Sequence, residues 1–358
     1  HDEAYRSAHG GQRPRRLAAG GLHAPGDCSS WPLVSYTRRR DGRAMELYRM
    51  TVATLPPVAR RNELGGTTLP ESGSESVLAA FTFDDIKSTA YDEAALSSYA
   101  EFKHLRQRGI IPSDVRFQIG LPSPYSVLAG HIKPEVANAI EPLYEQLFAE
   151  TIDRIFAEVP TEDVVIQWDL CFEMTALDIF PSPGGVQQGL VDRVARFCER
   201  IPQDGKLAFH LCYGDLRHKH FIEPQGTSLL VDLANALLER ETIGPRTGWI
   251  HLPVPKERTD PGYFAPLVRL RLGAPELKPP RLYLGVVHAN DEVGTKKRVE
   301  TAQAVVPFPF GEATECGLGR TPPEEVGSIL RICQGDHSGP HSGEYMSTMQ
   351  RHGGDILT

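Results

Sequence analysis

Short apolar runs alternate with amphipathic segments along most of the 358-residue chain, and this alternation limits the folds it can adopt. Turn-forming residues flank each run, as expected for buried strands. A strand followed by a helix, repeated many times, predicts a parallel sheet with helices packed on it. The strand candidates are 77–83, 115–121, 164–170, 207–213, 248–254, 282–288 and 305–310.

The segments between these runs have helical periodicity. In 135–158, apolar side chains recur at i, i+3 and i+4 spacing, which is typical of a helix packed on a sheet. The other predicted helices are 191–201, 229–238, 263–272, 296–304 and 323–332. The number and spacing of the strands favour a closed (β/α)8 TIM barrel in a single domain. An open doubly wound sheet is disfavoured because no glycine-rich phosphate-binding loop follows any strand.

The predicted barrel spans 76–335. Residues 1–75 are rich in Arg, Gly, Pro and Ser and are predicted to be a divergent, partly disordered N-terminal segment. Residues 336–358 are polar and glycine-rich and are predicted to be a flexible tail. The first strand or strands of the barrel are predicted to come from residues before 85.

The overall composition restricts the partners. The net charge of −8 argues against non-specific binding to nucleic acid or anionic membranes. No apolar run is long enough to span a bilayer, and the first residues lack the apolar core of a secretory signal. The six cysteines form no dense disulfide framework, which favours reduced thiols. We therefore expect a cytoplasmic protein that acts on a small-molecule substrate and that can form a homo-oligomer.

Polar side chains gather where the predicted strands end, which in a parallel barrel is the edge that carries catalytic residues. They are Asp169, Glu173, His210, Cys212, Asp215, His251, His288, Asn290, Asp291, Glu312, Glu315, Cys316 and Arg320. The run 218–220 (His-Lys-His) is interpreted as a solvated loop rather than as a second metal site.

One group of these residues suggests a zinc site. His210 and Cys212 are separated by one residue, so on a strand their side chains project from the same face. Nitrogen and sulfur are the donor types that zinc prefers. Cys316 follows the last predicted strand, and His251 ends the strand after His210. The pattern therefore predicts a Zn²⁺ site made by His210, Cys212, His251 and Cys316.

The remaining cysteines of the barrel are interpreted as small buried side chains. Cys198 and Cys333 lie on predicted helix faces, and Cys171 follows a strand without an evident soft partner in the sequence.

The segments HLCYGD, IHLPVP, VVH and ECGLGR occur in this order. Together with FQIGLPSPYSVL and VVIQWD, they resemble the C-terminal catalytic barrel of cobalamin-independent methionine synthase. The resemblance is greatest to the short methionine-synthase-like members of the superfamily that also contains uroporphyrinogen decarboxylase. It covers roughly residues 80–335.

The resemblance implies roles for individual residues. The zinc ligands of the family fall on His210, Cys212 and Cys316. The aspartate that holds the substrate amino group falls on Asp169, and the histidine implicated in acid–base chemistry falls on His288.

Three departures from the family pattern argue against methionine synthase activity itself. His251 stands where the family has a glutamate zinc ligand. The Asp-Glu-Pro sequence after the IQ-x-D strand is missing. The N-terminal half that binds folate polyglutamate has no counterpart, because 358 residues cannot hold two barrels.

The function expected from these features is that of a zinc-dependent transferase or lyase acting on a small organic substrate of the thiol type. In this hypothesis Asp169, Glu173, Tyr213 and Asp215 bind the substrate, and His288 and Asp169 are catalytic. Three alternatives stay open. They are a metal-independent lyase or decarboxylase that uses Asp169, Arg116 and Arg320, a zinc hydrolase, and a degenerate barrel kept as a non-enzymatic binding protein.

Overall fold

In the computed structural model, the described residues are 34–35, 89–132, 134–180, 188–214, 219–273 and 279–333. The predicted strand 77–83, the tail 336–358 and nearly all of segment 1–75 lie outside them. So does Asp215, one of the predicted substrate-binding residues.

Seven parallel strands form one sheet, and their order across the sheet is their order along the chain. They are β1 (Val34–Ser35), β2 (Phe117–Pro122), β3 (Val164–Leu170), β4 (Lys206–Leu211), β5 (Thr247–Pro253), β6 (Arg281–Val287) and β7 (Phe310–Thr314). The predicted α/β class and parallel sheet are confirmed. Within the described residues no pairing joins β7 to β1, so this part of the sheet is open rather than closed.

Helices alternate with the strands. They are α1 (Tyr91–Gln107), α2 (Pro124–His131), α3 (Pro134–Glu158), α4 (Phe172–Ile179), α5 (Gln188–Arg200), α6 (Ser228–Leu238), α7 (Pro261–Phe264), α8 (Glu292–Val305) and α9 (Pro323–Cys333). Helices α1, α2 and α4 are absent from the sequence-based prediction. Among the described helices, none combines the length and apolar character needed to cross a bilayer.

The uninterrupted strand order determines where the helices lie. Each connection between neighbouring parallel strands advances in the same direction, and right-handed crossovers then place all the connecting helices on one face of the sheet. Trp168 of β3 illustrates this outer face, since its ring packs 6.0 Å from Phe148 of α3 and 5.7 Å from Phe197 of α5. All three side chains are buried, so this layer forms the main apolar core.

The opposite, inner face of the sheet has a different composition. Alternate strand residues point to opposite faces, and the inner positions form a second, much smaller apolar cluster. Its members are Val165, Ala208, Trp249, Tyr283 and Ala313. Gln167, Asp169, His210 and His251 share this inner face, which therefore carries the candidate site.

The last strand begins later than the sequence suggests. Helix α8 extends to Val305, and β7 starts only at Phe310, so the predicted strand 305–310 is wrong. Pro307 and Pro309 explain the difference, because proline has no N–H to donate to a sheet ladder. The apolar run is therefore the end of a helix and a linker, and the strand is the FGEAT segment that follows.

The predicted helix 263–272 is also shorter than expected. Helix α7 ends at Phe264, and a 3₁₀ turn (Ala265–Arg269) replaces the rest. Pro266 falls inside this segment and interrupts the helical hydrogen bonds.

Candidate active site at the carboxyl ends of the strands

Asp169, His210 and His251 form one row across the sheet. Asp169 of β3 pairs in register with His210 of β4, which pairs in register with His251 of β5. Side chains at the same level of neighbouring parallel strands point to the same face. All three therefore project from the inner face near the carboxyl ends of the strands, as the sequence pattern predicts.

The two imidazole rings of this row are stacked. Their centroids are 4.3 Å apart and their planes are tilted by only 21°. Nε2 of His251 lies 2.9 Å from the carbonyl oxygen of Thr314, and because a carbonyl only accepts hydrogen bonds, Nε2 is the protonated nitrogen. Burial, reinforced by His210, lowers the pKa of His251 to about 3, so the ring is neutral at physiological pH.

His210 is buried, and its side chain is only 2% exposed. Neither ring nitrogen has an oxygen or nitrogen partner at hydrogen-bond distance, and the ring interacts instead with the thiol of Cys316. Burial lowers the pKa of His210, but the neighbouring Cys316 and Asp169 outweigh burial and raise it overall. Since buried polar groups in proteins are nearly always paired, these two nitrogens are the clearest sign that this position is built for a ligand.

Three thiols come together beside this ring. Cys212 follows β4 and interacts with the thiols of both Cys171 and Cys316. These interactions with Cys171 and Cys316, together with burial, raise the pKa of Cys212 well above its usual value. The interpretation of Cys171 as a cysteine without a soft partner is therefore wrong.

The register of β3 and β4 explains the position of Cys171. Leu170 pairs with Leu211, so the next residues of the two strands, Cys171 and Cys212, are cross-strand neighbours. The backbone N–H of Cys212 donates to the carbonyl of Leu170 at 3.4 Å, which continues the ladder to this point. The sequence shows the i, i+2 relation within one strand but not the register between two strands.

The donor types at this edge fit a zinc ion, whereas their present spacing is not a formed coordination shell. An unpaired buried imidazole beside thiols is the combination that zinc prefers. Within the described ranges, however, no three His, Cys, Asp or Glu side chains are already arranged to hold a metal ion. Rotation of the cysteine side chains about their Cα–Cβ bonds is needed to bring the sulfurs to coordination distance.

A glycine on β6 allows the chain of Cys316 to approach. A Cβ atom at Gly285 would lie 2.6 Å from the Cα of Glu315 and 3.1 Å from the carbonyl oxygen of Thr314. The contact of 2.6 Å with backbone is closer than side chains tolerate, so only glycine lets the end of β7 pack against β6 here. The hydroxyl of Thr314 then donates to the carbonyl of Cys316 at 2.6 Å and fixes the turn that carries the thiol.

Asp169 is held by a chain of side chains on the inner face. Nε2 of Gln167 donates to Oδ1 of Asp169 at 2.9 Å, and Oε1 of Gln167 accepts from the indole N–H of Trp249 at 3.1 Å. Because the indole can only donate, it fixes the orientation of the Gln167 amide. The carboxylate of Asp169 is thus positioned beside the row of histidines.

His288 directly follows β6 and is also oriented by the backbone. Its Nε2 lies 2.9 Å from the carbonyl oxygen of Val254, and its Nδ1 lies 3.9 Å from the carboxylate of Glu315. Burial, together with the nearby Arg298, lowers the pKa of His288 to about 4. The ring is therefore neutral near pH 7, with Nδ1 able to accept a proton on the side of Glu315.

A fourth histidine, His220, lies near this edge and is not among the predicted site residues. The side chain of His220 is only 8% exposed, and it forms ion pairs of 3.0 Å with both Glu223 and Glu315. Burial opposes its charge, but the two glutamates outweigh burial and raise the pKa of His220 to about 9. The interpretation of this run as a solvated loop is therefore wrong for His220. Its ion pairs with Glu223 and Glu315, which only the fold brings together, show that it is a buried, charged side chain.

Glu173, predicted to bind substrate, has its carboxylate occupied by serines. It accepts hydrogen bonds from the hydroxyls of Ser126, at 2.6 Å, and Ser123. Ser123 also caps α2, and Ser126 accepts from the backbone N–H of Cys171 and Phe172. Glu173 is 1% exposed, and burial raises its pKa. The carboxylate thus joins the starts of α2 and α4.

Tyr213, a second predicted substrate-binding residue, is 1% exposed. Its ring meets the ring of His220 edge-on, with centroids 6.4 Å apart. Burial, reinforced by Asp178, raises the pKa of Tyr213, so the phenol stays protonated. Tyr213 therefore packs behind His220.

Arg116 lies at the amino ends of the strands, whereas Asp169 lies near their carboxyl ends. It precedes Phe117, which pairs with Val164 at the start of β3. Asp169 is five residues further along β3, about 16 Å away at the rise of a parallel strand. The two side chains therefore do not form a joint carboxylate-binding site, which removes the geometric basis of the metal-independent alternative that used them.

Comparison with solved structures finds a distant match. A B12-independent methionine synthase from Shewanella sp. W3-18-1, solved in complex with selenomethionine, matches with a TM-score of 0.41 and 14% sequence identity. The match covers 74% of this chain and 68% of that chain. No protein-family model and no curated protein matches. A similarity this loose is insufficient to transfer an activity or the role of a residue.

Proposed function

We propose that this chain is a zinc-dependent transferase that activates the thiol of a small organic substrate. The observation that carries the proposal is the buried ring of His210, which has no oxygen or nitrogen partner and interacts with the thiol of Cys316, itself next to Cys212. His210 lies on the inner face, and Cys212 and Cys316 follow the carboxyl ends of β4 and β7, the edge at which α/β enzymes place their catalytic residues.

Each described residue of the site has a role in this proposal. His210, Cys212 and Cys316 would hold the ion. When bound, zinc lowers the pKa of a coordinated thiol and thereby supplies a nucleophilic thiolate at neutral pH. Asp169, fixed by Gln167, accepts a hydrogen bond from a cationic or hydroxyl group of the substrate. His288 is neutral and accepts a proton at Nδ1, on the side of Glu315, and can later return it.

We further propose that the sheet closes into a (β/α)8 barrel. The uninterrupted strand order supports closure, because it leaves the inner face without helices of its own. An inner face with a small apolar cluster and several buried polar side chains needs cover from other strands. Closure would surround the candidate site and exclude bulk water from it.

Metal analysis tests this function most directly. The full chain is purified without chelators, and its zinc content is measured by elemental analysis. We expect about one zinc ion per chain, and less than about a tenth of that for Cys212→Ser. Cys333→Ser is the matched control, since this half-buried thiol lies on α9 and its substitution should leave the zinc content unchanged.

Thiol binding is tested on protein reloaded with cobalt. Addition of 2-mercaptoethanol should shift the sulfur-to-cobalt charge-transfer band, whereas ethanol at the same concentration should not. Wild-type protein that takes up neither zinc nor cobalt would disprove the proposed function. If the metal-loaded protein shows no spectral change with any thiol, the metal has only a structural role.

A further inference from the structure

The stacking of His210 and His251 determines whether both rings can bind the same ion. A metal bound to an imidazole lies in the plane of the ring, along the lone pair of the nitrogen. Two rings 4.3 Å apart and tilted by 21° have planes that meet only far beyond the length of a coordination bond. In addition, Nε2 of His251 is already hydrogen-bonded to the carbonyl of Thr314. His251 in this position therefore cannot share an ion with His210.

Cys171, unlike His251, lies where it could bind the same ion as His210 and Cys212. It is the cross-strand neighbour of Cys212, and adjacent parallel strands are about 4.8 Å apart. The thiols of the two residues interact, and Cys212 interacts in the same way with Cys316. Cys171 thus belongs to the group of sulfurs that adjoins His210.

The backbone of Cys171 is also well fixed. Its N–H donates to the hydroxyl of Ser126 at 3.2 Å, and it is the N-cap residue of α4. Its carbonyl accepts from the backbone N–H of Thr175 at 3.1 Å, in the first turn of that helix. Only the short Cα–Cβ arm is free to reorient, so the sulfur can turn toward Cys212 without a change in the chain.

We propose that Cys171, rather than His251, supplies the fourth protein ligand of the metal site, which then consists of one imidazole and three thiolates. This inference rests on the proposed zinc site and deepens it. A substrate thiol would replace Cys171 in this set, and the released Cys171 sulfur would take up the proton that the substrate thiol loses.

The ligand set changes the charge of the site. Three thiolates around a divalent cation give a net charge of −1, whereas two thiolates and two imidazoles give a neutral site. A more negative site makes each bound thiolate more electron-rich and therefore a better nucleophile. His251 then acts as a positioning residue that holds the plane of the His210 ring.

The first test uses the unmodified full chain. Protein stripped of metal is either reloaded with zinc or left empty, and is then alkylated with iodoacetamide for increasing times. Peptide mass spectrometry gives the rate for each cysteine. We expect zinc to slow alkylation of Cys171, Cys212 and Cys316 by at least about tenfold, because a coordinated thiolate reacts poorly, and to leave Cys333 unchanged.

The second test counts the thiolates. The charge-transfer absorption of cobalt-loaded protein scales with the number of bound sulfurs, so it should fall by about a third in Cys171→Ser. It should stay at the wild-type value in His251→Gln and in the control Cys333→Ser. Zinc affinity of Cys171→Ser, measured by competition with a chelator, should weaken about a hundredfold.

The outcomes separate this inference from the function on which it rests. Full charge-transfer absorption in Cys171→Ser, or equal alkylation of Cys171 with and without zinc while Cys212 is protected, would overturn the ligand assignment and leave the zinc site standing. Failure of the wild-type chain to bind zinc or cobalt would remove the proposed function itself.

Discussion

The rings of His210 and His251 lie face to face, 4.3 Å apart, and of the two only His251 is hydrogen-bonded to an oxygen acceptor. His251 is fastened to the carbonyl of Thr314 on β7, so the stack links three strands: β4, β5 and β7. The hydrogen bond therefore fixes the ring of His251, while the ring nitrogens of His210 are left available to a ligand. This division of roles follows from the register of β4 and β5, which aligns the two residues.

His251→Phe is predicted to lower stability. Phenylalanine preserves the stacked ring but removes the N–H that bonds to the carbonyl of Thr314, so a buried acceptor loses its partner. We expect a loss of about 1–3 kcal/mol in the free energy of unfolding, measured by urea denaturation. Unchanged stability would mean that the hydrogen bond to Thr314 contributes nothing to the fold.

Glu173→Leu is predicted to be strongly destabilising, because it leaves the hydroxyls of Ser123 and Ser126 without their acceptor in a buried position. The expected cost is about 2–4 kcal/mol, seen as a lower urea midpoint. Glu150→Gln, an exposed glutamate on α3, is the control and should change stability by less than about 0.5 kcal/mol. If both variants behave alike, the serine network is not structural.

Stability is predicted to depend on pH through His220. The pKa of this residue rises from 6.5 to about 9 on folding, because of Glu315 and Glu223. A raised pKa means that the contribution is complete below about pH 6.5 and is lost as the pH rises through about 9. Screening by solvent at the exposed Glu223 reduces it to about 1–2 kcal/mol.

The corresponding measurement compares wild-type protein with His220→Gln at pH 6 and pH 10. The difference in unfolding free energy between the two proteins should be largest at pH 6 and close to zero at pH 10. Taking this difference cancels the titration of thiols and other groups that both proteins share. A difference that grows with pH would have the opposite sign and would refute the assignment.

Arg298→Leu is predicted to have the largest effect outside the site. The guanidinium is fully buried and donates to the carbonyls of Val286 and Lys256 and to the carboxylate of Asp291. Its loss strands a carboxylate and two carbonyls, at a cost of about 3–5 kcal/mol. The neighbouring Lys297→Leu is exposed and should be nearly neutral, and thermal unfolding of both variants distinguishes the two cases.

The sequence predicts most of the sheet because buried parallel strands are recognisable as continuous apolar runs. Strand 164–170 is predicted with its observed ends, and 207–213 and 248–254 are correct to within two residues. The incorrect strand at 305–310 has a local cause. The segment is apolar, as a buried strand would be, but it contains two prolines, and each proline lacks the N–H that a sheet ladder needs.

The site is predictable only within single strands. The relation between His210 and Cys212 is predicted from the two-residue period of a strand, and β4 ends at Leu211, one residue before Cys212. The partnership of Cys171 with Cys212 depends on how two strands align, and nothing local to either residue indicates that alignment. The same holds for His220, whose burial and charge are set by Glu315, 95 residues further along the chain.

The missing side chain at Gly285 also has a consequence for how this protein can change over time. The segment carrying the sulfur at 316 reaches the other donors only because a single hydrogen atom occupies the space where a methyl group would collide with the main chain. Mutational drift at 285 is thus barred even though the residue touches no substrate and has no chemistry of its own. The position of Cys316 beside the other thiols thus depends on space at the neighbouring strand rather than on any chemical group there.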